Sequence, residues 1–584
     1  MDMRKTILTA AASLFCAALF AQGNLNPTVE VTNTYQGDPS EVHKPQIGMA
    51  IPDSLLRFDM DFGYEVFEKP YQGAYNFKPY MLAMKPEKNA YRGRKLYLKA
   101  GAGYSLHPQL DFVFSPEQSG PFQMSVYAGH KSYFGKYNVL DATNIDGIYS
   151  VIKVPQASFG GYDMRNSAGF EGVYSLPKTI VSFGVGYDGI MAKDTLFNRS
   201  FNAADFNVRV RSNRDDDKYI FYDVALNGRF AGDRVVSGKS SPYNLGESMF
   251  SLKGNVGPVL GGGKAVLVGF EAETASYSNL FKSNAGRLAI IPKYQLDLGK
   301  LSASLGVRAE VLLRPKSSET ASYPSMYQDK GGVVFPDVHI SYSPLENLLI
   351  YVSATGGNTV NTYSSIISRH HFISPLYTMT PLLDNSVEKV DAKIGLRGKA
   401  GANLQLEVDG GVALVGNGMV DSGYPVSAGL PGSILPGVAY SDYNLFYGDF
   451  LADLKTGGFR LDGGIHLRHM GFKSDLDFGL ALPEVSFDAK AVYDINSRIY
   501  AGARVQGSGA RKGKIINAGA DETTPSYDVK VPGWFDLGLL GGWQFNRKLG
   551  FWLESGNLLC ETIQRSPFYS EKDLWIAAGI TLSL

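Results

Sequence analysis

The feature that most limits what this chain can fold into is a two-residue alternation of polarity that recurs along most of its length. Leu96, Leu98, Ala100 and Ala102 alternate with Tyr97, Lys99, Gly101 and Gly103. Phe206, Val208 and Val210 alternate with Asn207, Arg209 and Arg211. The stretches 301–311, 390–397, 460–468 and 499–506 repeat the pattern. A period of two sets successive side chains on opposite faces of a strand. One face here is apolar but often small, and the other is charged or glycine. Lipid tolerates the first face and a wet lumen the second, so the combination points to a transmembrane antiparallel β-barrel. A soluble sandwich shares the period, but with shorter strands and bulkier core residues.

Counting such segments from residue 94 onward predicts an all-β chain of about 22 strands, with no helical period of useful length between them. The links sort by parity. After even-numbered strands they are mostly short, as at Leu176–Thr179, Gly261–Gly263, Leu298–Lys300 and Asn546–Lys548. After odd-numbered strands they are mostly long, as at 134–163, 314–332, 358–384, 417–440, 509–529 and 560–572. Outer-membrane barrels have short periplasmic turns and long external loops. The tight link near Leu106–Pro108 departs from the rule. Tyr104, Tyr133, Phe134, Tyr500, Trp534, Trp543, Trp552 and Trp575 stand near strand ends and are candidates for interfacial girdles.

The last segment is the cleanest. Leu574, Ile576, Ile580, Leu582 and Leu584 share one parity, and Trp575, Ala577, Gly579 and Thr581 the other. Its length of about eleven residues suits a tilted spanning strand. It is expected to close the sheet against the strand that starts near Arg94.

The barrel, residues 90–584, is preceded by two different stretches. Residues 1–21 have the form of a secretory signal, with Arg4 and Lys5 before an apolar run from Ile7 to Phe20 and Ala21 at the cleavage point. Phe15 before Cys16 is too bulky for a lipoprotein site. Cleavage leaves Cys560 alone, which excludes an internal disulfide. No later window holds eighteen uninterrupted apolar residues, so a spanning helix is not expected. Residues 22–89 contain Pro27, Pro39, Pro45, Pro52, Pro70, Pro79 and Pro86, which interrupt strand ladders. This segment reads as irregular, either a lid lying in the lumen or a periplasmic tail.

Motifs for chemistry are sparse. His370-His371 lies in a long predicted loop without further metal ligands at suitable spacing, and solvated loop histidines are expected. Asp215-Asp216-Asp217 reads as a solvated turn, and Cys560 as an incidental thiol. Gly261-Gly262-Gly263-Lys264 lacks the spacing of a phosphate loop. No catalytic residue, cofactor or metal is expected, and the chain is not read as an enzyme. Lys and Arg total 56 and Asp and Glu total 56, so nothing points to nucleic acid. Parity places Lys99, Arg209, Arg211, Glu271, Glu273, Arg308, Glu310, Asp391, Lys393, Arg397, Asp462, His466, Arg468 and Arg504 in the lumen. Both signs are mixed, so these residues are expected to hydrate the wall and pair across strands.

Three stretches carry a resemblance. They are Leu549 to Leu559, ending in Asn-Leu-Leu; Pro567-Phe568-Tyr569; and Ala577-Ala-Gly-Ile-Thr-Leu-Ser-Leu584. Together they resemble the last two strands of TonB-dependent receptor barrels. Val387 to Gly398 resembles a mid-barrel strand of such receptors, and Pro27 to Pro79 is similar to plug-less receptor-like barrels of Bacteroidota. The resemblance implies 22 strands, a Gram-negative outer-membrane location and insertion by barrel-assembly machinery. The stretch ahead of the first strand is too short for the globular plug of a full receptor, and it shows no convincing TonB-contact motif. The implied function is transport across the outer membrane. The alternative is a non-transporting structural subunit of an outer-membrane assembly or secretion complex. A barrel this wide is usually plugged, so long loops, residues 22–89 or an envelope partner protein are expected to occlude it.

Overall fold

The computed structural model describes residues 95–584, apart from 105, 117–119, 195–196, 214–217, 238–241, 281, 314–332, 374, 376–381, 402, 428–429, 475–477 and 517–525. The expected leader, the proline-rich segment 22–89 and the Asp215–Asp217 turn lie outside the described residues.

The chain first forms β1 (Leu96–Gly103), β2 (Gln109–Phe114), β3 (Phe122–Ile145), β4 (Ile148–Ser175), β5 (Thr179–Lys193), β6 (Phe197–Ser212), β7 (Tyr219–Ser237) and β8 (Tyr243–Gly261). It continues as β9 (Lys264–Asn279), β10 (Ser283–Asp297), β11 (Leu301–Leu313), β12 (Val334–Leu345) and β13 (Leu348–Val360). A seven-residue helix, α1 (Tyr363–Arg369), follows. Then come β14 (Asn385–Ala400), β15 (Leu404–Ser427), β16 (Leu430–Thr456), β17 (Phe459–Phe472) and the two-residue β18 (Gly479–Leu480). The last elements are β19 (Val485–Asp494), β20 (Ile499–Ser508), β21 (Arg511–Ile516), β22 (Ser526–Val531), β23 (Trp534–Gln544), β24 (Leu549–Gly556) and β25 (Trp575–Ser583).

Leaving out β18, β21 and β22, each strand pairs antiparallel with its neighbours, and β25 returns to β1, so 22 strands form a closed ring. The seam aligns Leu98 with Leu582, Lys99 with Thr581 and Ala100 with Ile580. Glycines let the two backbones approach there. A Cβ on Gly579 would stand 2.0 Å from the Ala100 carbonyl oxygen, and one on Gly101 would stand 2.4 Å from that of Ala578. The link at Leu106–Pro108 belongs to a true hairpin, since β1 pairs with β2 from Leu96↔Phe114 to Gly101↔Gln109.

The outer face is an apolar belt. Ile290, Ile394 and Leu553 are each more than half exposed. Ile576, Ile580 and Leu584 face outward while Trp575, Ala577 and Ser583 are buried. A closed barrel satisfies every ladder hydrogen bond within itself, so such a belt can lie in lipid. This is the architecture of a membrane-spanning β-barrel. The aromatic girdle is smaller than expected. Trp543 is exposed and stacks with Phe551 near one rim, but Tyr133, Trp552 and Trp575 are buried on the inner face.

Three links expected as loops hold strands. β3 and β4 run far past the belt and meet at Asp146-Gly147, both with positive φ (53° and 86°), the geometry of a two-residue hairpin turn. β15 and β16 extend in the same way from 417 to 440. β21 and β22 form a third projecting hairpin, and β22 touches β4 in parallel at Val529↔Tyr149. Ala142, Val151, Ile434, Leu480, Ile515, Val529, Val531 and Phe568 form an apolar cluster where these projections meet.

Deleting residues 580–584 removes the β1 partners of Leu98 and Lys99 and reopens the ring. The truncated chain is expected to lose heat-modifiable migration on gels and to disappear from outer-membrane fractions. Normal membrane levels of the truncation would contradict the closure.

Candidate functional site

Described residues between β13 and β14, those at 361–373 and 382–384, fold inward. Helix α1 is too short to be stable alone, so packing and capping must hold it. Thr362 is the N-cap. Its side chain accepts from the Ser365 amide, and the Ser365 hydroxyl oxygen accepts from the Thr362 amide. Tyr363, Ile366 and Ile367 are fully buried against Ile190, Phe201, Leu245, Tyr277 and Val438. Burying each isoleucine stabilises the segment by about 1.5–3 kcal/mol. Ile190, Phe201, Leu245 and Tyr277 stand on the inner face of β5, β6, β8 and β9, where a hydrated wall would carry polar groups.

Buried polar contacts fix this strap in place. Arg199 on β6 pairs with Asp233 on β7 at 3.0 Å and donates to the carbonyls of His371 and Ile373. The Tyr363 hydroxyl donates to the same Asp233. Glu247 on β8 accepts from the Ser364 amide and hydroxyl. Arg369 reaches Asp421 on β15 at 2.9 Å, and His371 Nδ1 lies 2.9 Å from Asp163 on β4. Wall strands eleven places apart in a 22-strand ring are therefore bridged within three residues of strap. Only inward-leaning outer ends allow this, and β3 and β16 are in contact.

The final link, between β24 and β25, completes the closure. Tyr569 stacks on Phe372 with centroids 3.8 Å apart. Gln564 donates to the Val151 carbonyl at 2.9 Å, and Arg565 bonds Asp536 at 2.6 Å and Glu571. The Pro567-Phe568-Tyr569 stretch thus sits where the external mouth is closed.

His370 and His371, expected to be solvated, are 5% and 6% exposed. They are buried because the strap turns into the mouth instead of looping into water. Burial pushes the His370 imidazole down to about 3, with Asp421 opposing and His371 and Arg199 adding to the shift. Among the described residues no three His, Cys, Asp or Glu side chains converge as a metal site.

Below the strap the predicted charges are arranged in pairs. Arg287 on β10 bonds Glu271, Glu273 and Glu310 at 2.8–3.0 Å. Arg308 bonds Glu271 and Glu310 at 2.9 Å, and the Asn358 amide donates to Glu310 at 2.8 Å. Arg287 and Asn358 were not among the predicted residues. Arg287 sits on the inner parity of β10, beside Glu273 on β9, so that parity was the available signal. Lys99 pairs with Glu554, Arg209 with Asp223, Lys393 with Asp409 and Arg397 with Glu407. Asp391 accepts from Tyr447, and His466 and Arg468 share Asp449. Arg504 lies 3.9 Å from Asp536. Lys99, Asp462, Arg504 and Glu554 line a cavity of about 240 Å³. Arg211 is exposed near the short-turn end of β6. The structure thus groups most of the predicted residues into local pairs, not one site.

No family model and no curated protein sequence matches the chain. Solved structures do. The ferric enterobactin receptor PfeA of Pseudomonas aeruginosa, in complex with enterobactin, aligns with a TM-score of 0.60 at 10% identity, over 84% of this chain and 82% of that one. The FrpB iron transporter of Neisseria meningitidis gives 0.59 at 10% identity, over 85% and 82%. The siderophore receptor PirA of Acinetobacter baumannii gives 0.57 at 9% identity, over 84% and 80%. The fold is that of a TonB-dependent receptor barrel. Within this barrel the inward strap bonds to wall strands on several sides of the ring, and the final link packs against it.

Replacing Arg199 with Ala leaves Asp233 buried without its cation, a change that typically costs about 3–5 kcal/mol. The strap of R199A is expected to become cleavable by protease between 361 and 384 while the ring stays heat-modifiable. Tyr363→Phe should weaken the strap by about 1 kcal/mol.

His370 adds a pH dependence. Its folded pKa lies below its unfolded value, so between about pH 3 and 6.5 the released strap binds more protons than the docked one. Docking is therefore complete above about pH 6.5 and weakens as pH falls. Hydrogen-exchange protection factors of residues 362–373, taken relative to the intrinsic rate at each pH, should fall on acidification in wild type and less so in His370→Phe.

Proposed function

We propose that the chain is a gated transport barrel of the outer membrane, with the strap 361–384 and the final link as its external gate. The observation that supports this reading is the strap's inward docking. One inward segment is bonded to β4, β6, β7, β8 and β15 above a wall of paired charges. The paired charges line the path beneath without strong preference for either ion sign. The receptor and transporter folds of the aligned structures support the same reading. Iron–siderophore complexes are what some of those proteins carry; the cargo class here is left to experiment.

Planar-bilayer recording tests the gate. Wild-type protein is expected to be silent or to open rarely. Replacing residues 364–382 by a short Gly-Ser linker is expected to give steady conductance. Silence after that replacement, together with stoichiometric copurification of other envelope proteins, would favour the structural-subunit reading.

A further inference from the structure

A second cavity, of about 90 Å³, lies where the four mouth-closing segments meet. The β1–β2 link supplies His107, the β3–β4 projection supplies Tyr137, the strap supplies His370 and Phe372, and the final link supplies Tyr569 and Lys572. We infer that this cavity is a binding site for a small carboxylate, which bridges the four segments and locks the mouth shut.

The cavity presents a buried hydroxyl with nothing to receive it, that of Tyr569. His107 is 1% exposed, and its Nε2 lies 3.2 Å from Lys572 Nζ. His370 Nδ1 accepts from the Phe372 amide at 3.1 Å, and the Pro567 backbone lies beside the same ring.

The charges point to an anion. Lys572 lies over the Trp575 ring at 4.4 Å, with no carboxylate within ion-pair distance among the described residues. Both carboxylates at the cavity are engaged, Asp163 by His371 and Glu571 by Arg565. Burial disfavours the charged form of the amine, and an anion beside Lys572 offsets that cost. Tyr137, Phe372 and Tyr569 supply an apolar wall, so a short alkyl chain is accommodated with the carboxylate.

Proton linkage gives a second signature. Burial, with Lys131 on β3 beside it, holds Lys572 well below its usual range. The other charged groups facing it are Glu571 and Arg565 in the final link and Arg504 on β20. A carboxylate bound beside the amine favours its charged form, so binding takes up a proton and tightens as pH falls.

The probe is propionate, titrated calorimetrically into the purified full-length barrel in detergent, with propionamide as the uncharged control. This binding assay does not require the barrel to transport anything. Saturable binding at about 1 mM or tighter is expected, with proton uptake revealed by buffers of different ionisation enthalpy. Lys572→Met should weaken it by about 30-fold or more, and Lys572→Arg should restore part of the loss. Heat-modifiable migration checks that each variant is folded, and Tyr569→Phe offers an independent loss of one donor. No saturable heat with propionate, equal binding of propionamide, or full affinity in folded Lys572→Met would each overturn the inference.

Discussion

Everything in this molecule depends on the backbone ladder having no edge. In hydrocarbon an unpaired amide or carbonyl finds no water to bond, and each costs several kcal/mol. The chain meets this constraint by returning β25 to β1, with Gly101 and Gly579 allowing the two strands to approach at the seam. Once the ring is closed, parity assigns every side chain to lipid or lumen, and the exposed residues in the outward register are free to be Ile, Leu and Val.

A ring of 22 strands is too wide to be filled by its own wall side chains. Chain that leaves the wall packs inward at one end of the ring, and three devices hold it there. The β3–β4, β15–β16 and β21–β22 hairpins lean together over one apolar cluster. The strap carries a capped helix into a second. The final link ties both to the seam through Tyr569 and Lys572. The strap combines dry packing with buried ion pairs, which suits an element with two positions. Apolar burial holds it shut, while Arg199, Asp233 and Glu247 fix where it docks.

Much of the wall was legible because its physics is local. Alternation reports the faces, and link length reports the side of the membrane. The inner charges of β9 to β11 followed from parity, although their assembly around Arg287 did not. The strap was missed for an identifiable reason. Ile190, Phe201, Leu245 and Tyr277 are apolar residues on the lumen parity, and read singly they look like noise in the alternation. Only when the ring closes do they become one patch that fits Tyr363, Ile366 and Ile367. Asp146-Gly147 was a readable hairpin turn inside a stretch taken as loop. His370 and His371 looked solvated because nothing near them in sequence shows that their loop turns inward.

By itself, then, the sequence determined the strand count, the closing strand, the lipid-facing parity and the sorting of links, since each rests on contacts between near neighbours. The tertiary structure alone decided that one segment turns inward, which wall strands hold it, and which charges lose their water. Those outcomes depend on strands eleven places apart in the ring meeting above the lumen. No local pattern records a contact of that separation.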